Sequence, residues 1–551
     1  MIKMLSVRNF IVVLFAYGLG AWLYCVPFVG DQKVYISTAK EMWERGSILH
    51  PYLMGETSYF KPPWLYWTIL TGWKIFGFSL FGTFFFSLFA TALTALILDS
   101  ISIELMQYQE GTKERRFPLA GIWFAACSGT LTYGTSAQME IWIVFFYSLA
   151  WFCFLKHFKS GQKKWLILGL IVSGVSALNK SPLYSVFSVL GYYSFLFLSP
   201  KSGWDGVKGS TPQKSPRSWF LKPSFYLANL IGIAVGLSWF VLMWFTDRER
   251  FWSHYVIQET LGKRGGNGGS LLHMWLDVLT FTFPFSLLLI PAFVRLPGLG
   301  KNRLIFLLSW SLIPAAFFSY FPYRTETYLY ILIPSLALLL DWGLENCTSA
   351  LLKWTAKING VLVAGSMLGI SALLGFTHLV SFSWIVLLVI VSIGFFITSW
   401  WLFLSSGKTN IKKLAFSSLG LIFAIRICAI SLGENDIKDL RTITERLPER
   451  KLAFLDNGRN IWHEIGLLSV TTRNAAIRLH TTSDSLQALQ NGAILVLNKD
   501  QAEALPLHNL PHLQHASWWR LQRSFTVPNL ADLREIGDQK NRRELRLYWL
   551  Q

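Results

Sequence analysis

The sequence predicts an α-helical polytopic membrane protein with a small α/β domain at its C-terminal end. Two observations predict the first part. Apolar residues fill 52% of the 551 positions and charged residues only 15%. Thirteen apolar runs are also long enough to cross a bilayer. A soluble domain carries about 25% charge, so this chain lacks the polar surface to cover itself in water. The third observation is a change of character after residue 432, where the chain becomes polar enough to be soluble. Aromatic content is 16%, with 43 Phe and 25 Trp, which suits a lipid-facing exterior with interfacial belts. Collagen, disorder and disulfide scaffolds are excluded. The net charge of +19 does not point to nucleic acid, because many Lys and Arg lie in short gaps between apolar runs.

The runs cover 9–29, 78–104, 119–135, 139–155, 165–179, 182–199, 224–246, 273–293, 304–321, 327–343, 358–380, 382–406 and 414–432. The first is long and lacks a clear small-residue cleavage site, so it reads as an uncleaved anchor. Orientation follows from the loops. With the N-terminus inside, Lys3, Arg8, Lys113, Arg115, Arg116, Lys156, Lys159, Lys163 and Lys164 fall on the cytoplasmic side. The basic residues of the later alternate gaps join them, which is the positive-inside pattern. Segments 30–62, 136–138, 247–272, 322–326 and 433–551 then face outward.

Those outer segments carry structure of their own. Val34–Gly46 has a helical apolar period and reads as a helix along the membrane surface. A second surface helix is expected after Pro62 and Pro63, running through Trp64, Tyr66, Trp67 and Trp73. The chain divides into a membrane domain, 1–432, with outer loops 30–62 and 247–272, and an outer domain, 433–551. In that tail 451–456, 476–482 and 493–499 read as strands, and 437–448, 460–470 and 483–490 as helices. Cys25, Cys127, Cys153, Cys347 and Cys428 lie in or beside apolar runs without a metal-binding spacing.

Several outward-facing residues are more polar than a membrane anchor needs. Asp31, just after the first span, is placed to act as a base on a hydroxyl, or to serve as an interfacial charge or helix cap. Lys61, beside two stiffening prolines, suits a lipid-linked phosphate, or snorkels to the surface. Lys180 sits in a tight turn with little water-facing loop, where polar groups often mark a substrate path. Arg324 either pairs with Glu326 or forks onto phosphate oxygens. Glu140 opens the fourth span as a second carboxylate on the same side. The glycine-rich stretch 262–270 reads as a mobile loop that adds Lys263 and Arg264.

In order along the chain, these patches resemble bacterial GT-C glycosyltransferases of the protein O-mannosyltransferase and lipid A aminoarabinose transferase type. The matching pieces are Asp31–Tyr35 with Ala39, Met42 and Gly46; Tyr59, Lys61, Pro62, Pro63, Tyr66 and Trp67 leading to Phe76 and Gly77; Asn179–Pro182; the loop ending in Arg264; and Phe318, Ser319, Arg324, Tyr328 and Pro334. The resemblance implies a GT-C-like fold of about 13 spans and a bacterial inner-membrane location, with a cytoplasmic N-terminus and a periplasmic tail. It implies inverting transfer of a sugar from a polyprenyl-phosphate donor to lipid A, a glycan or a protein.

In that scheme Asp31 is the general base and Glu140 the second acidic residue. Lys61, Lys180, Arg264 and Arg324 hold the donor phosphate. Tyr35, Tyr59 and Tyr328 line the pocket. The partners are the donor, the acceptor and membrane lipid, with no nucleic acid. The resemblance fixes no cofactor, and a divalent cation is left open. The chain departs from the aminoarabinose branch at Phe60, at Val34, and at Leu261 and Gly262, where that branch has an acid, an arginine and a histidine. Two other classes compete: a lipid-linked sugar flippase, which calls for paired broken helices and mid-bilayer charges, and a non-catalytic scaffold of the same fold.

Overall fold

The computed structural model describes residues 2–23, 31–106, 118–199, 222–264, 269–344, 349–377, 382–404, 408–444, 450–455, 476–479, 481–507, 512–521 and 542–550. The N-terminal part runs through α1 (Ile2–Leu23), α2 (Gln32–Glu44), α3 (Trp64–Phe76), α4 (Leu80–Met106), α5 (Ala120–Ala125), α6 (Ser128–Gly134) and α7 (Met139–Ser160). The chain continues through α8 (Lys163–Ala177), α9 (Pro182–Leu198), α10 (Pro223–Thr246), α11 (Arg248–Phe251), α12 (Leu271–Phe281), α13 (Leu289–Val294) and α14 (Lys301–Tyr320). The bundle closes with α15 (Ile333–Leu344), α16 (Ala350–Thr377), α17 (Phe382–Leu404) and α18 (Lys408–Thr444). Local chemistry sets several ends. Pro182 and Pro223 stand in the first turns of their helices, where the missing N–H costs nothing, and Gly161 ends α7 in the left-handed region.

Where they are described, all thirteen apolar runs lie mainly on helix, but they are not thirteen equal spans. Among the described residues seven helices are long and apolar enough to cross a membrane, and the pair α12–α13, bent by 100°, would make an eighth. The run 119–135 is broken at Ala126 and Cys127 into α5 and α6, and every residue of both is buried. A break at membrane depth is tolerated because protein, not lipid, surrounds it. The start of α5 is satisfied by two buried acids: Asp99 accepts from the Gly121 N–H at 2.8 Å and Asp341 from the Leu119 N–H at 3.3 Å. Cys127, Cys153 and Cys428 are buried and free.

The two short helices α2 and α3 form where the sequence predicts helix. Between them Tyr52–Leu53 (β1) and Glu56–Thr57 (β2) form an antiparallel hairpin. Its turn residues, Met54 and Gly55, both have positive φ, as the tightest hairpins require. Glu41 of α2 fixes this turn by accepting both turn N–H groups, at 2.5 and 2.8 Å. α3 and α4 cross where Gly72 meets Gly82. A Cβ on Gly72 would lie 1.9 Å from the Gly82 carbonyl oxygen, so only glycine permits this approach.

The tail holds a five-stranded sheet of Leu452–Leu455 (β3), Ala476–Leu479 (β4), Ile494–Asn498 (β5), Leu513–Leu521 (β6) and Arg542–Leu550 (β7), in the order β4-β3-β5-β7-β6. β3, β4 and β5 are parallel, and β7 runs antiparallel to β5 and β6. The first three are the expected strands. β6 and β7 lie outside the expected strands; the three arginines of β7 mask its alternation. The helix Thr482–Gln490 opens with a capping box between Thr481 and Asp484. Segment 437–448 is not a separate helix, since α18 runs unbroken to Thr444. Segment 460–470 lies outside the described residues.

Candidate active site

Four segments far apart in sequence are tied together at one end of the bundle by hydrogen bonds that involve the backbone. The Ala137 N–H donates to the Gln32 side chain at 3.2 Å, joining the start of α2 to the turn before α7. The Asn179 amide donates to the Met139 carbonyl at 2.8 Å, joining the α8–α9 turn to the start of α7. The Trp64 N–H donates to the Leu178 carbonyl at 3.0 Å, joining the start of α3 to the same turn. These ties bring the neighbourhoods of Asp31, Lys61, Glu140 and Lys180 into one region. Asp31, Glu140 and Lys180 each adjoin an anchoring residue and Lys61 lies three positions before Trp64, so rigid elements position the set.

Asp31 precedes α2 without capping it through its side chain, and the residue is exposed. The Tyr35 hydroxyl, one turn on, donates to its Oδ2 at 3.4 Å. Tyr35 is buried, and its hydroxyl is pushed well above the usual phenol range by burial and then by the charges of Asp31 and Glu140, with Tyr66 and Glu259 adding to the effect. One phenol thus senses carboxylates from three elements.

Glu140 is not an open carboxylate. It lies 2.7 Å from the Lys180 ammonium, and both side chains are largely shielded, at 7% and 14% exposure. Burial alone would lower the Lys180 pKa, but Glu140 reverses that and holds it above the ordinary value. Lys180 also lies 6.0 Å above the Tyr328 ring, which stacks on Phe318.

Lys61 is no lone cation either. It pairs with Glu259, which pairs in turn with Lys263. The Glu259 carboxyl is held below its usual range: burial opposes this, but Lys61 and Lys263 outweigh burial. Lys263 is lowered to about 8 by burial and by Lys61, with Lys180 adding to the effect against the pull of Glu259. Three lysines therefore share one electrostatic neighbourhood.

The described residues of the loop 247–272 are largely helical. α11 continues into a π-helix, Trp252–Leu261, and a 3-10 turn, Gly262–Arg264. π-helical geometry is rare and is frequent at functional sites. Here the segment carries His254, whose ring stacks on Phe60 at 4.7 Å and 8°. The loop thus meets the Lys61 segment through a stack and an ion pair. Later in the same loop, the Gly269 N–H donates to the Arg324 carbonyl at 2.9 Å.

Two expectations need correction, and a third falls outside the described residues. Arg324 does not pair with Glu326. Its Nη2 donates to the Ser319 carbonyl at 3.2 Å, and its Nε has no partner among the described residues. Tyr59 is fully buried: its hydroxyl donates to Asp247 at 3.0 Å and lies 2.8 Å from His50 Nδ1, and its ring packs against Trp239 and Phe251. It pins the Lys61 segment to the end of α10 rather than lining an open pocket. The Arg264 backbone is placed in the 3-10 turn, but its side chain lies outside the described residues. Sequence reading missed Glu259, and its four-residue spacing to Lys263 was the available signal.

Comparison with known proteins follows this geometry. Residues 60–208 match the family model described as dolichyl-phosphate-mannose-protein mannosyltransferase. An undecaprenyl phosphate-alpha-4-amino-4-deoxy-L-arabinose arabinosyl transferase of Pseudomonas fluorescens is 26% identical over 379 residues, covering 66% of this chain and 65% of that one. The crystal structure of ArnT from Cupriavidus metallidurans bound to undecaprenyl phosphate superimposes with a TM-score of 0.71, over 98% of this chain and 97% of that one, at 15% identity. This chain has a GT-C fold and resembles the lipid A aminoarabinose transferases. Like ArnT, it is a multi-pass membrane protein. An uncharacterised protein of Aquifex aeolicus is 22% identical over 337 residues, covering 61% of this chain and 63% of that one. These sequence matches span just under two thirds of the relatives' own length.

Proposed function

We propose that the chain is a glycosyltransferase moving a sugar from an undecaprenyl-type polyprenyl phosphate to a hydroxyl of lipid A, a glycan or a protein outside the cytoplasm. The observation that carries this reading is the gathering of an exposed carboxylate, Asp31, and three lysines, 61, 180 and 263, at one end of the bundle. The donor class is supported by the name of the Pseudomonas fluorescens relative and by the lipid phosphate bound to ArnT.

In the proposed step the acceptor oxygen attacks the anomeric carbon from the face opposite the phosphate, inverting that centre. Asp31 takes the hydroxyl proton as the new bond forms. The bond from the anomeric carbon to the phosphate oxygen breaks, and its electron pair leaves with the polyprenyl phosphate. Negative charge accumulates on that phosphate, so fixed ammonium groups are worth most there. Lys61 is the principal phosphate ligand, with Lys180, Arg324 and Arg264 as helpers, and Tyr35 and Tyr328 flank the sugar. Glu140, already paired, holds Lys180 in position.

Lys61→Ala tests the phosphate role. The expected result is a donor KM raised by roughly tenfold or more, with acceptor KM within twofold of the parental value. Equal losses toward both substrates in steady-state assays would remove Lys61 from the phosphate site. The proposed topology puts the N-terminus in the cytoplasm and 433–551 in the periplasm of an inner membrane. An alkaline phosphatase fused after Gln551 should then be active, and an inactive enzyme in a stably expressed fusion would reverse the orientation.

A further inference from the structure

One oxygen of Glu259, Oε1, accepts from both Lys61 and Lys263. Two ammonium groups converging on one anionic oxygen is the arrangement a phosphate oxygen would call for. The two lysines come from different elements, one ahead of α3 and one in the turn after the π-helix. The carboxylate between them is shielded, at 19% side-chain exposure. An anion in that position has a clear physical use. Without it, two half-buried like charges would face each other, and Lys263, already lowered to about 8, would more readily give up its proton. Glu259 offsets that repulsion while no substrate is present.

We propose that Glu259 is a built-in competitor for the donor phosphate: it holds the anion position of the empty site, yields it to the donor, and reclaims it to expel the product. This rests on the reading of the chain as a polyprenyl-phosphate-dependent transferase. The asymmetry comes from charge. The donor is a phosphodiester with one negative charge. The released lipid phosphate is a monoester that approaches two near neutral pH, since its second pKa is about 6. A nearby carboxylate repels the dianion more than the monoanion. Glu259 therefore costs the product more affinity than the donor and keeps the site from being trapped by its own leaving group.

The test measures binding of undecaprenyl phosphate to the full-length protein in nanodiscs. Glu259→Gln keeps the size and removes the charge. The expected result is binding about tenfold tighter than parental, with stronger inhibition of turnover by added undecaprenyl phosphate. Unchanged or weaker binding overturns the proposal, because a merely structural carboxylate would loosen the lysines when neutralised. If Glu259→Gln does not fold, Glu259→Asp decides: it withdraws the charge by one methylene and should tighten binding severalfold, whereas unchanged or weaker binding rejects the competitor. Parental protein that binds no undecaprenyl phosphate rejects the donor reading itself. Parental binding with no gain in the variants rejects only the role of Glu259.

Discussion

Replacing Asp31 by Asn should lower kcat for sugar transfer by roughly 10²–10⁴-fold, the usual contribution of a positioned general base. Binding of undecaprenyl phosphate should stay near parental. The amide has the same shape and still offers an oxygen to the Tyr35 hydroxyl, which now lies 3.4 Å from the carboxylate. The start of α2 should survive, because the Asp31 side chain does not cap it and Gln32 provides the tie to Ala137. Only the capacity to take a proton is lost. The measurement is transfer of a labelled sugar from a synthetic undecaprenyl phosphosugar, with donor binding determined in parallel. Asp31→Asn protein that transfers at the parental rate would end the base assignment. Loss of donor binding and transfer together would instead move Asp31 to the phosphate side of the site.

The contrast between Asp31 and Glu140 shows what the sequence can convey. Both are carboxylates at the margin of an apolar run, and both stand out because charge there is costly. Their difference is invisible along the chain. Glu140 is paired because Lys180, forty positions away, is folded onto it. Asp31 remains exposed at the surface of the bundle. The spans were readable for a related reason: hydropathy is a local property, and the described parts of all thirteen runs lie mainly on helix. Whether a run crosses the membrane straight, bends as at α12–α13, or breaks as at Ala126 depends on neighbours that local hydropathy does not name.

Glu259 and His254 escaped notice for the opposite reason. In a loop of mixed polarity a charge or an imidazole is ordinary, and the one local signal was the four-residue spacing of Glu259 to Lys263. Their partners, Lys61 and Phe60, lie almost two hundred residues earlier. Sequence adjacency misled at Arg324 and Glu326, where proximity suggested a pair. The chain places Arg324 before the 3-10 segment Glu326–Leu332 and turns its guanidinium to the Ser319 carbonyl instead. In the tail, parallel strands buried on both sides announce themselves as apolar runs, as at Leu452–Leu455. β7, rich in arginine, does not.

The Glu140–Lys180 pair carries the second large effect. Two charges shielded from water support each other, so removing one leaves the other buried and unpaired. Lys180→Met and Glu140→Gln should each destabilise the protein by about 3–5 kcal/mol, read as a fall in unfolding temperature in detergent. The double variant should recover much of that loss, because no uncompensated charge remains. Activity should follow a different course. If Lys180 acts on the donor phosphate, the double variant will be folded yet still poor in transfer, with its deficit in donor KM. If the pair only braces the α8–α9 turn against α7, transfer will return with stability. The Asn179 amide bond to the Met139 carbonyl spans the same gap without charge, so the turn keeps one tie in every variant. A double variant no more stable than the singles would mean that the two charges are not coupled, and the 2.7 Å contact would then contribute little to either folding or chemistry.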